Sequence, residues 1–237
     1  MMEELIKQIK GDRVEKRYFN EVFFNQLFST ISVPLLRTNL QLKQITLKKI
    51  NKESFNNSDL KIIGEHLALI HRKCQTLSSV WPPGILDRYN AQKKYSELIN
   101  SYKEKVSKPK IGFTHGDYRL RNIMKNKKKI YISDWEFGGL NFIYWDLAIF
   151  CADFLHNQFH LNYGGLSLIY FIEGYMSKNY LSDDELNLSL TLGGVDVVFN
   201  HISPRVGEKI PEPNTLFKNI TKKEIDFLLG TSLVNLK

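Results

Sequence analysis

The sequence predicts a two-lobed α+β protein, with a small strand-and-helix lobe over residues 1–50 and a larger, mainly helical lobe over residues 51–237. Three observations carry that expectation. Helical apolar spacing between Val14 and Phe28 gives way to strand-like alternation that ends at Ile50. A polar run, NKESFNNSD over 51–59, then separates this part from the rest of the chain. From Ile143 onward the apolar spacing is helical, with breaks at 162–165 and 203–213.

Taken in order, Glu4 to Ile9 reads as a short strand in which Leu5, Lys7 and Ile9 alternate with Ile6 and Gln8. Phe19, Val22, Phe23, Leu27 and Phe28 recur at three- and four-residue steps, which predicts a helix with these residues on one face and Glu21 near its N-terminal end. Ser32 to Pro34 stop it, and Leu40, Leu42, Ile45, Leu47 and Ile50 predict two short strands around a turn. Ser58 is the expected N-cap of a helix over Leu60–Leu77 that carries Ile63, Leu67, Ile70 and His71 on one side. A loop at Pro82-Pro83-Gly84 and a charged helix over Tyr89–Val106 come next. Lys110–Thr114 is a strand entering His115-Gly116-Asp117, Lys125–Lys129 a basic turn, and Ile130–Ser133 a strand that ends at Asp134.

Composition excludes several classes. With 43% hydrophobic and 24% charged residues, the 237-residue chain is too apolar for a disordered tail, and it has no internal repeat. Its longest apolar stretches are interrupted by Asp146, Asp153 and Glu173, short of the ~20 residues a membrane span requires. The first residues carry acids where a signal peptide carries positive charge, so a cytoplasmic location is expected. Cys74 and Cys151 have no C-x-x-C spacing and read as buried thiols rather than a disulfide or zinc site. The net charge of +8 is uneven: residues 1–110 hold 20 Lys and Arg against 11 Asp and Glu, and residues 111–237 hold 13 against 14. Such an asymmetry suits an anionic ligand such as a nucleotide, although a solvated lysine-rich surface has the same composition. Nucleic-acid binding has no motif behind it, and nothing in the sequence specifies an oligomeric state.

The informative segment is FTHGDYRLRNIMKNKKKIYISDWEFGGLNFIYWD, residues 113–146. Asp117 and Asn122 lie five apart in a loop after a strand, and Asp134 comes 12 residues later at the end of a second strand, with Glu136 and Gly138-Gly139 behind it. Two strands joined by a short turn would bring these loop ends side by side, so that two carboxylates and an amide converge on phosphate oxygens and a hard cation. Magnesium takes oxygen ligands and keeps several waters, so Asp134 and Asn122 with nucleotide phosphates form a sufficient set. Asp117 then remains to hold an attacking hydroxyl in line and accept its proton.

HGD-x4-N followed by a strand and D-W-E closely resembles the aminoglycoside phosphotransferase and choline kinase superfamily, the small-molecule relatives of protein kinases. The Leu67–His71 segment (LALIH) and Asp146-Leu147-Ala148 extend the resemblance, and DWEFGGLNFIYWDLA looks most like choline, ethanolamine and thiamine kinases. What the resemblance implies is a protein kinase-like fold, ATP and Mg²⁺ as cofactors, and transfer of the γ-phosphate to a hydroxyl of a small, cationic molecule. A choline-like amino alcohol is the first candidate acceptor and an aminoglycoside the second. It further implies that His115 braces the catalytic loop and that Asp146 is a buried helix-start residue pinning that loop, with a plain N-cap as its alternative.

Kinase-like folds place a lysine on a strand against the α- and β-phosphates and orient it with a helix glutamate. Lys7 and Glu21 match those positions, with Lys10 and Lys16 as alternative lysines. The adenine is expected against the backbone around Lys49 to Asn51. No glycine-rich hairpin precedes Lys7, so the N-terminal lobe is reduced, which puts turnover in question or points to a start further upstream. The alternative function is a catalytically impaired, kinase-like nucleotide-binding or regulatory protein. For a cationic acceptor, Asp153, Glu173, Asp183, Asp184 and Glu185 with the aromatics of Phe142–Trp145 are candidates. Residues 183–185 also read as an ordinary helix start, which is the preferred reading.

Overall fold

A three-stranded antiparallel sheet of order β1-β3-β2 forms the N-terminal part of the chain, from β1 (Glu4–Gln8), β2 (Leu35–Asn39) and β3 (Gln44–Lys48). The computed structural model describes residues 3–73, 104–106, 108–161 and 166–197. The expected helix end at 74–77, the 82–84 loop, most of the 89–106 helix, Cys74 and the breaks at 162–165 and 203–213 lie outside these residues. Lys7 pairs with Ile45 across β1 and β3, and the alternation buries Ile45 and Leu47. The two hairpin strands lie earlier than the spacing predicts: Leu40 and Leu42 belong to the turn and stand half exposed. The Asn39 side chain accepts the Leu42 amide at 3.0 Å and Lys43 takes a positive φ of 50°, so local turn chemistry overrides the alternation.

Helix α1 (Val14–Leu27) crosses this sheet. Its buried face differs from the expected one: Tyr18, Glu21, Phe24 and Asn25 are buried, whereas Phe19 and Phe23 are 55% and 53% exposed. Glu21 is also mid-helix rather than near the N-terminal end. The reason is long-range. Phe24 and Phe28 stack on Trp135, with centroids 6.1 and 5.2 Å apart, and this fixes the rotation of the helix about its axis. Helix α1 thereby joins two apolar clusters, one under the sheet around Ile9, Tyr18, Val33, Ile45 and Leu47, and a larger one that contains Phe24 and Phe28.

Helix α2 (Asn57–Arg72) is capped by Asn56, ahead of the expected Ser58. Asn56 accepts the Asp59 amide at 3.0 Å and Asp59 accepts the Asn56 amide at 2.8 Å, a reciprocal capping box contributing about 1 kcal/mol. Its predicted face, Ile63, Leu67, Ile70 and His71, is buried. Strand β4 (Ile111–Thr114) pairs with β7 (Gly139–Phe142), and β5 (Ile123–Asn126) with β6 (Lys129–Ile132), all antiparallel. Helices α3 (Ile143–Leu161), α4 (Leu168–Met176) and α5 (Asp183–Val197) complete the described chain. Helix α2 packs on α4 where Gly64 and Gly174 let the backbones touch; a Cβ on either would sit 2.0 Å from a carbonyl oxygen of the other helix. Glu185 caps α5 through the Ser182 amide at 2.8 Å, as the helix-start reading of residues 183–185 expects. Among the described residues, no helix is long and apolar enough to cross a membrane.

Candidate active site

The chain leaves β4 into His115-Gly116-Asp117, and this loop is held from below by Asp146 in the first turn of α3. Asp146 is fully buried; its Oδ2 accepts the His115 amide at 2.6 Å and its Oδ1 the Gly116 amide at 2.8 Å. His71 adds a contact from α2, with Nε2 3.3 Å from Asp146 Oδ2 and Nδ1 2.8 Å from the Tyr175 hydroxyl. Gly116 has φ 82°, and a Cβ there would meet the Phe137 carbonyl oxygen at 2.3 Å, so only glycine fits between the two loops. His115 Nε2 lies 2.9 Å from the Ser133 carbonyl, and full burial, outweighing nearby carboxylates, pushes the imidazole pKa down. It therefore links the two loops as a neutral donor.

Asp117 carries three side-chain donors. Arg119 Nε donates to Oδ1 at 2.6 Å, Arg121 Nη2 to Oδ2 at 2.9 Å, and Asn122 Nδ2 to Oδ2 and to the Asp117 carbonyl, both at 2.9 Å. Burial acts to raise the Asp117 pKa, but the two arginines outweigh it and hold the carboxyl below its ordinary value. With its nitrogen committed, Asn122 has only its amide oxygen to offer a cation.

The β5–β6 hairpin brings the second loop alongside. Ile123 pairs with Ile132, and the Ser133 amide and hydroxyl donate to the Asn122 carbonyl at 2.9 and 3.1 Å. Asp134 comes next in the left-handed region, with φ 71°, a conformation an aspartate tolerates at a functional turn. Its Oδ1 accepts Lys7 Nζ at 2.5 Å. Lys7 also reaches Glu21 Oε2 at 3.2 Å and Glu136 Oε1 at 2.9 Å, so three carboxylates surround one ammonium. Burial alone would lower the Lys7 pKa; Glu21, Asp134 and Glu136 reverse that and raise it. Glu21 is buried, and burial pushes its carboxyl up to about 7 despite the attraction of Lys7.

Of the residues singled out by sequence, Asp117, Asn122, His115 and Asp146 gather in one loop system, and Lys7, Glu21 and Asp134 in an ion cluster next to it. Lys49 and Asn51 lie past β3, away from that cluster; the Lys49 amide is spent on the Glu3 carbonyl at 2.9 Å, and the Asn51 carbonyl accepts Asn126 at 3.4 Å. Lys10 and Lys16 are exposed, and Lys16 lines, with Arg13 and Arg17, a cavity between α1 and the Glu136–Gly138 segment. Asp153 contacts Arg119 at 3.5 Å, and Glu185 holds Lys110 at 2.9 Å and Tyr144 at 2.6 Å. Phe142 and Tyr144 are core residues. Glu136, Arg119 and Arg121 join the site without a role expected from the sequence. Their only local signal was position: two after Asp134, and two and four after Asp117.

The donor set also bears on a metal. Glu21, Asp134 and Glu136 offer oxygen atoms within 4.8 Å of one another, and Glu21 Oε1 is buried with no hydrogen-bond partner. Lys7 fills that place with its ammonium, and the donors available beside it, the Asp134 carboxylate and the Asn122 amide oxygen, are hard oxygens that fit magnesium rather than a soft metal.

The sequence model of the choline/ethanolamine kinase family matches residues 28–186, which include α2, the Asp117 loop, Asp134 and Asp146 but not Lys7 or Glu21. No curated protein matches the chain in sequence. In structure, the choline kinase LicA from Streptococcus pneumoniae superposes with a TM-score of 0.56 at 16% identity, over 97% of this chain and 86% of its own. An aminoglycoside phosphotransferase from Alicyclobacillus acidocaldarius gives 0.56 at 10% identity, over 96% and 84%. A microcompartment-associated aminopropanol kinase gives 0.52 at 13%, over 81% and 74%. At such identities the likeness is one of fold, and that fold is protein kinase-like.

Proposed function

The chain belongs to the choline/ethanolamine kinase family, and from that premise we propose that it transfers the γ-phosphoryl group of ATP to the hydroxyl of a small molecule with magnesium present. The observation that carries the proposal is that two hydrogen-bonded loops set Asp117, bonded by Asn122 at 2.9 Å, next to the loop of Asp134, which is paired with Lys7 at 2.5 Å.

On this reading the sheet with α1, to about residue 50, forms one wall of the nucleotide cleft and residues from 51 the other. Lys7, oriented by Glu21, contacts phosphate, and the backbone around Lys49–Asn51 meets the adenine. Asp134 and the amide oxygen of Asn122 would hold magnesium, with Glu136 beside them. A bound magnesium ion supplies charge neutralisation on the phosphate oxygens. Asp117 orients the acceptor hydroxyl and takes its proton. Because its pKa lies low, orientation is the larger part of its role, in keeping with a loose transition state in which little base strength is needed. His115 and Asp146 keep the loop in place.

Family membership makes an amino alcohol of the choline or ethanolamine kind the first acceptor, and an aminoglycoside the second. The test is ADP release from Mg-ATP with each acceptor, for the unaltered chain and for Asp117→Ala. The expected result is acceptor-dependent turnover that disappears in a folded Asp117→Ala protein. Turnover that survives this substitution would remove Asp117 from the mechanism. Nucleotide binding without turnover on any acceptor would favour a non-catalytic regulatory protein.

A further inference from the structure

Two guanidinium groups flank the Asp117 carboxylate, and neither has a part in the phosphotransfer scheme as it stands. They are not equivalent. The Arg119 side chain is 14% exposed and held by two carboxylates, Asp117 at 2.6 Å and Asp153 at 3.5 Å, so moving it means breaking both ion pairs. Arg121 is 68% exposed and reaches Asp117 through one nitrogen at 2.9 Å, while its backbone carbonyl is held by Lys52 at 3.1 Å. The loop at 121 is thus anchored while its side chain stands in solvent. Asp117 Oδ2 carries Asn122 as a second donor, so it keeps a hydrogen bond when Arg121 leaves.

We propose that Arg121 is a catalytic residue, which yields its place on Asp117 Oδ2 to the acceptor hydroxyl and sets its guanidinium on the oxygens of the transferring phosphoryl group. The inference rests on the proposed phosphotransfer activity. In the step, the acceptor oxygen forms a bond to the γ-phosphorus and the bridging bond to the β-phosphate breaks. Its electron pair leaves on ADP, and the hydroxyl proton passes to Asp117. The exchange is balanced in charge around the carboxylate, which gains a proton as it loses a cation. The transferring group must lie beside Asp117 for that residue to hold the acceptor in line, and the exposed guanidinium starts from that carboxylate, at 2.9 Å. A planar fork matches phosphoryl oxygens in a way a lysine does not.

The experiment compares the unaltered chain with Arg121→Gln, Arg121→Lys and Arg121→Ala, following ADP release from Mg-ATP with choline and with water alone as acceptors. Expected is a fall in kcat on the order of 10²- to 10³-fold for Arg121→Gln, with the KM for ATP changed by less than about threefold. Arg121→Lys recovers little, and millimolar guanidinium restores part of the rate to Arg121→Ala. A merely structural arginine gives no guanidinium rescue. Turnover by the unaltered chain that Arg121→Gln matches within about threefold overturns the assignment and leaves the phosphotransfer reading standing. An unaltered chain that is folded, binds Mg-ATP and turns over neither water nor any of the amino alcohol and aminoglycoside acceptors overturns both.

Discussion

Replacing Asp146 by asparagine tests whether one buried carboxylate holds the catalytic loop. The side chain is fully buried, with separate oxygens accepting the His115 amide at 2.6 Å and the Gly116 amide at 2.8 Å. Asparagine preserves the shape but has one carbonyl oxygen, so its NH₂ group faces whichever amide is left. One hydrogen bond to a charged acceptor is lost, at about 1.5–3 kcal/mol, and a buried N–H is orphaned, at about 1–3 kcal/mol. The expected loss is about 2.5–6 kcal/mol, a large part of the 5–15 kcal/mol that typically separates folded from unfolded. Urea unfolding of the variant and the unaltered chain, compared at equal m-value, measures it. In a protein kept folded at low temperature, a displaced Asp117 should also cost about 10²-fold in turnover. A loss below about 1 kcal/mol would place the substitution among ordinary surface changes and refute the claim that Asp146 holds the loop.

The Glu21 carboxyl is pushed from 4.5 up to about 7, so the folded chain binds its proton more tightly than the unfolded chain. Its contribution to stability is therefore present below about pH 4.5 and is lost as pH rises through 7, a change of about 3 kcal/mol. Glu21→Gln should flatten that stretch of the stability–pH curve, and an unchanged slope would show that Glu21 ionises normally. Gly116→Ala places a Cβ 2.3 Å from the Phe137 carbonyl at a φ of 82°. It is expected to lower stability by about 1–3 kcal/mol and to move Asp117, read as a lower unfolding midpoint and lost turnover; a variant with both unchanged would contradict the packing of the two loops.

Chemistry that depends on residues near in sequence was legible. The β5–β6 hairpin turns at Lys127-Lys128, inside the basic run expected as a turn, although Lys125 and Lys129 themselves belong to the paired strands, and it brings Asn122 beside Ser133 and Asp134. Glu185 at its helix start and the buried face of α2 come from local spacing in the same way. What escaped was set by distant partners. The spacing of Phe19 and Phe23 points to one face of α1, but Trp135, more than a hundred residues away, stacks on Phe24 and Phe28, and Lys7 draws Glu21 inward. A glutamate has no apolar signature, so its burial cannot be read from periodicity. The same holds for Glu136, whose partners Lys7 and Arg17 come from the first 20 residues. Arg119 and Arg121 look like ordinary charges in a loop until Asp117 is seen between them.

Isothermal titration of ATP, with and without Mg²⁺, into the unaltered chain and into Asp134→Ala tests the central claim most directly. Magnesium-dependent binding that is lost in a folded Asp134→Ala protein is the predicted result, since it puts the nucleotide phosphates at the cluster of Lys7, Asp134 and Glu136. Binding of equal strength in both proteins, or none in an unaltered chain shown to be folded, would contradict it.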